Sequence, residues 1–247
     1  MASSSLVATV IASQALDARR ALLLASLGEL AGPLLLGSAV ANTIGRDIVS
    51  TSSLELSAVL AMVAGAVLWL LLMYWLGLPI SPSHALVGGI LGAALATGGP
   101  GAIHLGGLVK IGLSLFAAPL IGLACGWLFM EGLLIAAHGA TPAINRHFKT
   151  VQVGTSMLLA LSQGSNDAQK TIGVITMALV ISGAQTEFHA PLWVVLTSAV
   201  VIALGVALGG TRTMRTLASK FYRIRPVHGF ATQTVSAGVV LLAGLLG

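Results

Sequence analysis

The stretch from Leu56 to Leu76 reads LSAVLAMVAGAVLWLLLMYWL and contains no charged side chain. A bilayer core about 30 Å thick needs roughly 20 mainly apolar residues in a helix, so this stretch can span a membrane. The whole chain is also strongly apolar: 56% of its 247 residues are hydrophobic, only 8% are charged and the mean hydropathy is +0.98. A soluble domain carries roughly 25% charged residues. The composition therefore predicts an integral membrane protein and argues against a soluble enzyme, a nucleic-acid-binding protein and a disordered scaffold.

Apolar runs of similar length recur along the chain, and we predict an all-α polytopic membrane protein with about seven membrane segments. The runs cover residues 21–45, 56–76, 79–97, 107–137, 151–183, 190–210 and 229–247. Two runs are expected to be broken helices: 79–97 opens with prolines and serines, and 151–183 is long and has a polar interruption at Gly164–Lys170. The single cysteine, Cys125, allows no intrachain disulfide and is predicted to be a small core residue.

Basic residues concentrate in alternate connecting segments, which predicts the orientation of the chain. Segment 211–228 holds five basic residues and no acid, and segments 16–20 and 138–150 hold two basic residues each. Lys and Arg accumulate on the cytoplasmic side of membrane proteins, so these three segments are predicted to be cytoplasmic. The segments predicted to lie outside are 46–55, 98–106 and 184–189.

A weak internal repeat divides the chain, because residues 24–37 align with residues 196–209 through five identical positions. An odd number of crossings in each unit would invert one unit relative to the other, as in many secondary transporters. We predict a first repeat in residues 1-150, with a central cytoplasmic loop, and a second repeat in residues 151-247. The first repeat is expected to lack its start and the second its end.

The polar interruption in the fifth run reads LSQGSNDAQKTIG from Leu161 to Gly173. Polar side chains are costly at membrane depth and are usually functional there, so Asp167 is a candidate cation-binding carboxylate. Asn166 and Gln169 would add oxygen ligands suited to Na⁺, and a proton is the alternative. A purely structural ion pair between Asp167 and Lys170 is the competing interpretation.

The third run begins with GLPISPSHALVGG from Gly77 to Gly89, which predicts a helix start inside the membrane because proline forbids helix before it. The unpaired N–H groups and positive dipole of such a start suit an oxyanion. Ser81 and Ser83 offer hydroxyl donors, and His84 could donate or exchange a proton. Ordinary helix capping by the serines is the competing interpretation. One segment suited to binding an anion and another suited to binding a cation together predict coupled anion transport.

These two segments resemble the two signature motifs of the inorganic phosphate transporter (PiT) family. The resemblance extends to LGSAVANTIG at 36–45, VKIGLS at 109–114 and PLWVV at 191–195, so it covers nearly the whole chain. It implies two inverted repeats, each with one Asn-Asp helix and one Ser-x-x-His hairpin. The chain departs from the family pattern where a first Asp-x-Ala-Asn motif would precede Ala8 and where a second Ser-x-x-His would follow Gly247.

The resemblance also implies roles for individual residues. The substrate-binding set is Ser81, Ser83, His84, Ser165, Asn166 and Asp167. The cation-binding set is Asn166, Asp167, Gln169 and Glu29. For Glu29, a protonated acid in an interhelical hydrogen bond is the alternative. No catalytic residue, no cofactor and no metal besides a Na⁺ at Asp167 is expected.

The function that follows is secondary transport of inorganic phosphate across a plasma or bacterial inner membrane, coupled to Na⁺ or H⁺. Sulfate transport within the same family and a non-transporting or assembly-dependent membrane fragment are the alternatives. A membrane-embedded hydrolase is disfavoured because no nucleophile motif accompanies His84 and Asp167. The expected partners are the oxyanion and the lipid bilayer, with no nucleic acid, and a homodimer is a further expectation.

Overall fold

The computed structural model describes residues 2–36, 48–49, 54–76, 81–220 and 224–246, with side chains described from residue 6 and not at 209–220 or 245–246. These ranges are almost entirely helical. The helices are α1 (Ala2–Ala12), α2 (Ala18–Leu35), α3 (Leu56–Leu76), α4 (Pro82–Gly98), α5 (Leu105–Ala136), α6 (Ile144–Ile181), α7 (Leu192–Lys220) and α8 (Pro226–Leu246). A short 3₁₀ turn, Pro100–Ala102, follows α4. The all-α prediction is confirmed.

Each of the seven predicted runs coincides with one helix from α2 to α8. Within the described part of the chain, three helical segments are long and apolar enough to cross a membrane: Leu56–Leu76, Leu105–Ala136 and Pro226–Gly244. Helix α7 adds a shorter apolar segment, Leu192–Leu208. The number of membrane crossings therefore stays a prediction. The part of the first run beyond Leu36 lies outside the described residues, as do Gly77–Ile80 of the serine segment.

Some predicted loop residues belong to helices. Helix α7 continues to Lys220, well into the segment predicted as the loop 211–228, and α6 already begins at Ile144. Thr, Arg and Lys are compatible with helical backbone, so a helix need not end where its apolar run ends. Cys125 is exposed on α5 and is not a core residue.

Helix α6 is continuous through Gly164–Lys170, so the break predicted there is wrong. The reason is visible at Gly164, where an added Cβ would lie 2.8 Å from the backbone oxygen of Glu29. The glycine allows α2 to approach α6 closely, and the helix does not have to unwind around it. For α4, the predicted helix start is confirmed: Ser81 precedes the helix and Pro82 is its first residue.

The chain divides into two compact units. The first unit comprises residues 1–37, 115–168 and 195–246, and its core lies among α1, α2, α6 and α8. The second unit comprises residues 38–114 and 169–194, and its core is built mainly by α3 and α4, with Met62 and Ile90 in one buried cluster. Both units draw on both halves of the sequence, and the repeat division at 150/151 stays a prediction.

Candidate functional site

A polar stripe runs along α6 in the segment that the sequence singled out. Ser162, Ser165, Asn166 and Gln169 follow the spacing i, i+3, i+4, i+7, which puts them on one helical face. Ser162, Ser165 and Gln169 are at most 3% exposed, and Asn166 is half-buried. Asp167 is half-buried on the adjoining side of the same turn. A continuous helix thus presents hydroxyl and carboxamide groups together without unwinding.

Helix α2 packs against this part of α6 through small residues. An added Cβ at Gly28 would lie 3.0 Å from the backbone of Ala160, and one at Gly32 would lie 2.6 Å from the backbone nitrogen of Ser165. The Gly28-x-x-x-Gly32 spacing is the pattern that lets membrane helices approach closely. Between the two glycines, Glu29 is 1% exposed, and its backbone contacts Gly164. The structure therefore brings Glu29 to the α6 segment that carries Ser165.

Ser165 also fixes the end of α2 against α6. Its Oγ donates a hydrogen bond of 3.0 Å to the backbone carbonyl of Leu36, the residue that follows α2. Beside this bond lies a shallow cleft between α6 and the end of α8, with a cavity volume of about 10 Å³, which is room for about one water molecule. Its lining residues are Leu36, Ser162, Ser165 and Asn166 with Val240, Leu241 and Gly244. The α6 wall of this cleft is polar, and its α8 wall is apolar.

A second polar group, which the sequence analysis missed, lies farther toward the start of α6 and is wholly buried. The Oγ of Ser13 donates to Oε1 of Gln152 at 2.8 Å, and the Oγ of Ser156 donates to Oε1 of Gln233 at 2.6 Å. The Nε2 of Gln233 donates to the carbonyl of Leu6 at 3.4 Å. We call these residues the glutamine network. It ties α6 to α8 and to the α1 region, and glutamines inside two apolar runs are the sequence signal that could have identified it.

The serine segment lies in the second unit, at the start of α4. Ser81 and Ser83 are half-buried, and His84 is exposed. The hydroxyl of Ser81 makes no capping hydrogen bond to the helix, so the capping role considered for this serine is not observed. The first helical hydrogen bond runs from the nitrogen of Ala85 to the carbonyl of Ser81, at 3.2 Å. The backbone N–H groups of Ser83 and His84 precede it, and such first-turn groups have no acceptor within the helix.

The predicted site residues therefore fall into two groups. Glu29, Ser165, Asn166 and Asp167 belong to the first unit, whereas Gln169, on the same helix, is the first α6 residue of the second unit. Ser81, Ser83 and His84 belong to the second unit. Among the described residues, no group of three or more His, Cys, Asp or Glu side chains could hold a metal ion. Hydroxyl, carboxamide and carboxylate oxygens of the kind on α6 instead match what hard cations prefer.

Comparison with known proteins gives consistent results. The family model described as "Phosphate transporter family" matches residues 3–138 and 134–247. The "Probable low-affinity inorganic phosphate transporter" of Mycobacterium leprae is 39% identical over 246 residues, which is 98% of this chain and 59% of that protein. The protein of the same name from Bacillus subtilis is 34% identical, over 95% of this chain and 71% of that protein. The chain thus spans somewhat more than half of the mycobacterial relative.

A solved structure shares the fold. The chain matches a structure titled "The sodium-dependent phosphate transporter" with a TM-score of 0.88 and 21% sequence identity. The match covers 99% of this chain and 82% of that one. At this identity the likeness concerns the arrangement of helices.

Proposed function

Because the chain belongs to the phosphate transporter family, we propose that it moves inorganic phosphate across a membrane, coupled to a cation gradient. It is a multi-pass membrane protein of the plasma or bacterial inner membrane, and its family consists of transporters rather than enzymes. The relatives' names concern inorganic phosphate, and the structural neighbour's title concerns sodium. We therefore favour Na⁺ as the coupling ion, with H⁺ as the alternative that the experiment below separates.

The buried polar stripe on α6 is the observation that carries the proposal. A stripe of hydroxyl and carboxamide groups is costly in an apolar surrounding unless a ligand or partner uses it. In the proposed mechanism, Asn166, Asp167 and Gln169 supply oxygen atoms to the cation, and Glu29, packed against the same helix, adds negative charge. The proximity of Glu29 to Gly164 supports its inclusion.

Two sets of phosphate-binding residues are proposed, one in each unit. Ser165 and Asn166 offer side-chain donors at the polar wall of the cleft. The first turn of α4 offers backbone N–H groups and a positive dipole end, together with the hydroxyls of Ser81 and Ser83. His84 would add a donor whose charge depends on pH. The carboxylate of Asp167 repels phosphate, because both are negatively charged. Asp167 would therefore favour phosphate binding only through the cation that it holds.

Coupling requires that cation and phosphate bind one state of the transporter more tightly than the other. We propose alternating access between two repeats, residues 1–150 and 151–247, around a site at the membrane midplane. A cation bound at Asp167 lowers the cost of placing a phosphate anion beside that carboxylate. Phosphate affinity should therefore rise with cation concentration, and cation affinity with phosphate.

Uptake of radiolabelled phosphate into proteoliposomes that contain the 247-residue chain tests this proposal. We expect uptake driven by an inward Na⁺ gradient and abolished in Asp167→Asn. Thr171→Val, an exposed position one turn farther along α6, is the matched control and should transport normally. Uptake driven only by a pH gradient would identify H⁺ as the coupling ion. Stronger competition by sulfate than by unlabelled phosphate would identify sulfate as the substrate. Equal uptake by the wild type and Asp167→Asn would contradict the assigned role.

A further inference from the structure

Three helices of the first unit run parallel and begin at the same end. Gly28 of α2 contacts Ala160 of α6, and Gly32, one turn later, contacts Ser165. The two helices therefore run in the same direction. Along α6 and α8, Gly229 meets Gln152, and Gln233 meets Ser156 one turn later. Counting back along each helix from these contacts puts Ala18, Thr150 and Val227 at about the same level. The N-terminal ends of α2, α6 and α8 therefore share one end of this unit.

That end is strongly basic. Arg19, Arg20, Arg146 and Arg225 are exposed there, and Lys149 is half-buried. We call these five residues the basic platform. Acidic compensation is nearly absent, because no Asp or Glu occurs from Gly132 to Asn166 or from Phe188 to Gly247. Two acids lie near the platform: Asp17 pairs with Arg20 at 3.3 Å in an exposed salt bridge, and exposed Glu131 follows Phe129 by two residues on α5.

The helix N-termini and nearby aromatic side chains also favour a position of this end at the membrane surface. Each helix start carries a positive partial charge, so three starts at one end reinforce the field of the basic side chains. Next to the platform residues, the rings of Phe148 and Phe230 lie 5.7 Å apart, and the ring of Phe129 of α5 lies 5.9 Å from that of Phe230. Arg225 directly precedes Pro226–Gly244, one of the segments apolar enough to span a membrane. The platform thus sits where an apolar span ends, which is the level of lipid headgroups.

We propose that the basic platform binds the phosphodiester headgroups of anionic lipids in the leaflet that it faces. Its charges are exposed and spread over three helix ends, which fits several headgroups on a surface better than one enclosed soluble anion. Juxtamembrane Lys and Arg residues are attracted to anionic lipid surfaces, with an effect of roughly fivefold in affinity per charge. The contact would hold the starts of α2, α6 and α8 together, beside the glutamine network and apart from the proposed phosphate site.

The proposal is tested with the purified chain in neutral detergent, to which phosphatidylglycerol or phosphatidylcholine is added. Native mass spectrometry reports retained lipid, and thermal unfolding reports stabilisation. We expect preferential retention of phosphatidylglycerol and a larger rise in Tm with it. The variant Arg146→Gln/Lys149→Gln/Arg225→Gln should bind phosphatidylglycerol roughly a hundredfold more weakly, because three charges are removed. The charge-conserving variant Arg146→Lys/Arg225→Lys should bind like the wild type, and Lys110→Gln, a basic residue of the second unit, should have no effect.

Three outcomes would overturn the proposal. Equal retention of the two lipids would show that headgroup charge is not recognised. Unchanged phosphatidylglycerol binding by the triple glutamine variant, with Lys110→Gln weakened, would assign the effect to another surface. Equal stabilisation by soluble glycerol phosphate at matched concentration would identify a site for free anions instead of a lipid surface.

Discussion

Gly164 shows how one residue sets the distance between the two helices that carry the site. Its missing side chain lets the backbone of Glu29 approach α6, and an added Cβ would lie 2.8 Å from the Glu29 oxygen. Backbone atoms of a packed helix cannot rotate out of the way as a flexible side chain can. A methyl group at this position must therefore push α2 away from α6.

We predict that Gly164→Ala lowers the free energy of unfolding by about 1–3 kcal/mol, the usual cost of overpacking. The matched control is Gly154→Ala on the same helix, where nothing lies within 4 Å of the added carbon. The control should be neutral or more stable by up to about 1 kcal/mol, because alanine favours helix. Thermal unfolding in detergent measures both variants. Equal stabilisation by the two substitutions would contradict the close contact.

Candidate site residues could be predicted from the sequence where several polar side chains interrupt an apolar run. Ser165, Asn166, Asp167 and Gln169 stood out because several polar side chains follow each other in an apolar run. Gln152 was not singled out, because isolated polar residues in apolar runs have many uses and only packing shows that this one is wholly buried and bonded to Ser13. Tertiary contacts of this kind have no local sequence signature.

At the scale of elements, the glutamine network joins three segments that are distant in the chain. Replacing Gln233 by leucine keeps the volume roughly constant but removes the donor to the Leu6 carbonyl and the acceptor for Ser156. Ser156 can still donate to the backbone carbonyl of Gln152. The carbonyl of Leu6 loses this partner.

We predict that Gln233→Leu destabilises the protein by about 1–3 kcal/mol, because two buried hydrogen bonds are lost and each contributes about 0.5–1.5 kcal/mol. Thr232→Leu, at the exposed neighbouring position, should change stability by less than about 0.5 kcal/mol. Chemical unfolding followed by circular dichroism compares the two. If Gln233→Leu were as stable as the wild type, the network would contribute nothing to holding α8 against α6.

Helix α6 also shows where sequence reasoning failed. A polar stretch with glycines was predicted to unwind, yet a polar face can instead be presented by an intact helix when the neighbouring helix supplies close contacts. We predict uninterrupted amide hydrogen-exchange protection from Ser162 to Lys170. Rapid exchange confined to Gly164–Lys170, with slow exchange on both sides, would show the broken helix that the sequence favoured.

At the scale of the whole molecule, apolar runs identified every helix from α2 to α8, whereas the ends of those helices were misplaced. Hydrophobicity marks the part of a helix that fits the bilayer and says little about the polar turns that extend it, as α7 does to Lys220. The grouping into two compact units was also not predicted. It depends on which helix faces meet, and apolar residues cover most faces of these helices.

The orientation of α6 gives a prediction at this scale. Its 38 residues extend about 57 Å, longer than a bilayer core, so its two ends should emerge on opposite sides. In a Cys125→Ser background, we expect Asn145→Cys to react with a membrane-impermeant maleimide only from the cytoplasmic side. Thr186→Cys should react only from outside. Labelling of both positions from the same side would contradict the predicted topology.

The central claim is that the polar stripe of α6 binds phosphate and a cation together. Equilibrium binding of radiolabelled phosphate to the purified chain, measured by scintillation proximity with and without Na⁺, tests it most directly because binding does not require the whole transport cycle. We predict binding that strengthens with Na⁺, is lost in Asn166→Ala, loses its Na⁺ dependence in Asp167→Asn and is unchanged in Thr171→Val. Phosphate binding that is the same in all four proteins, with or without Na⁺, would contradict the claim.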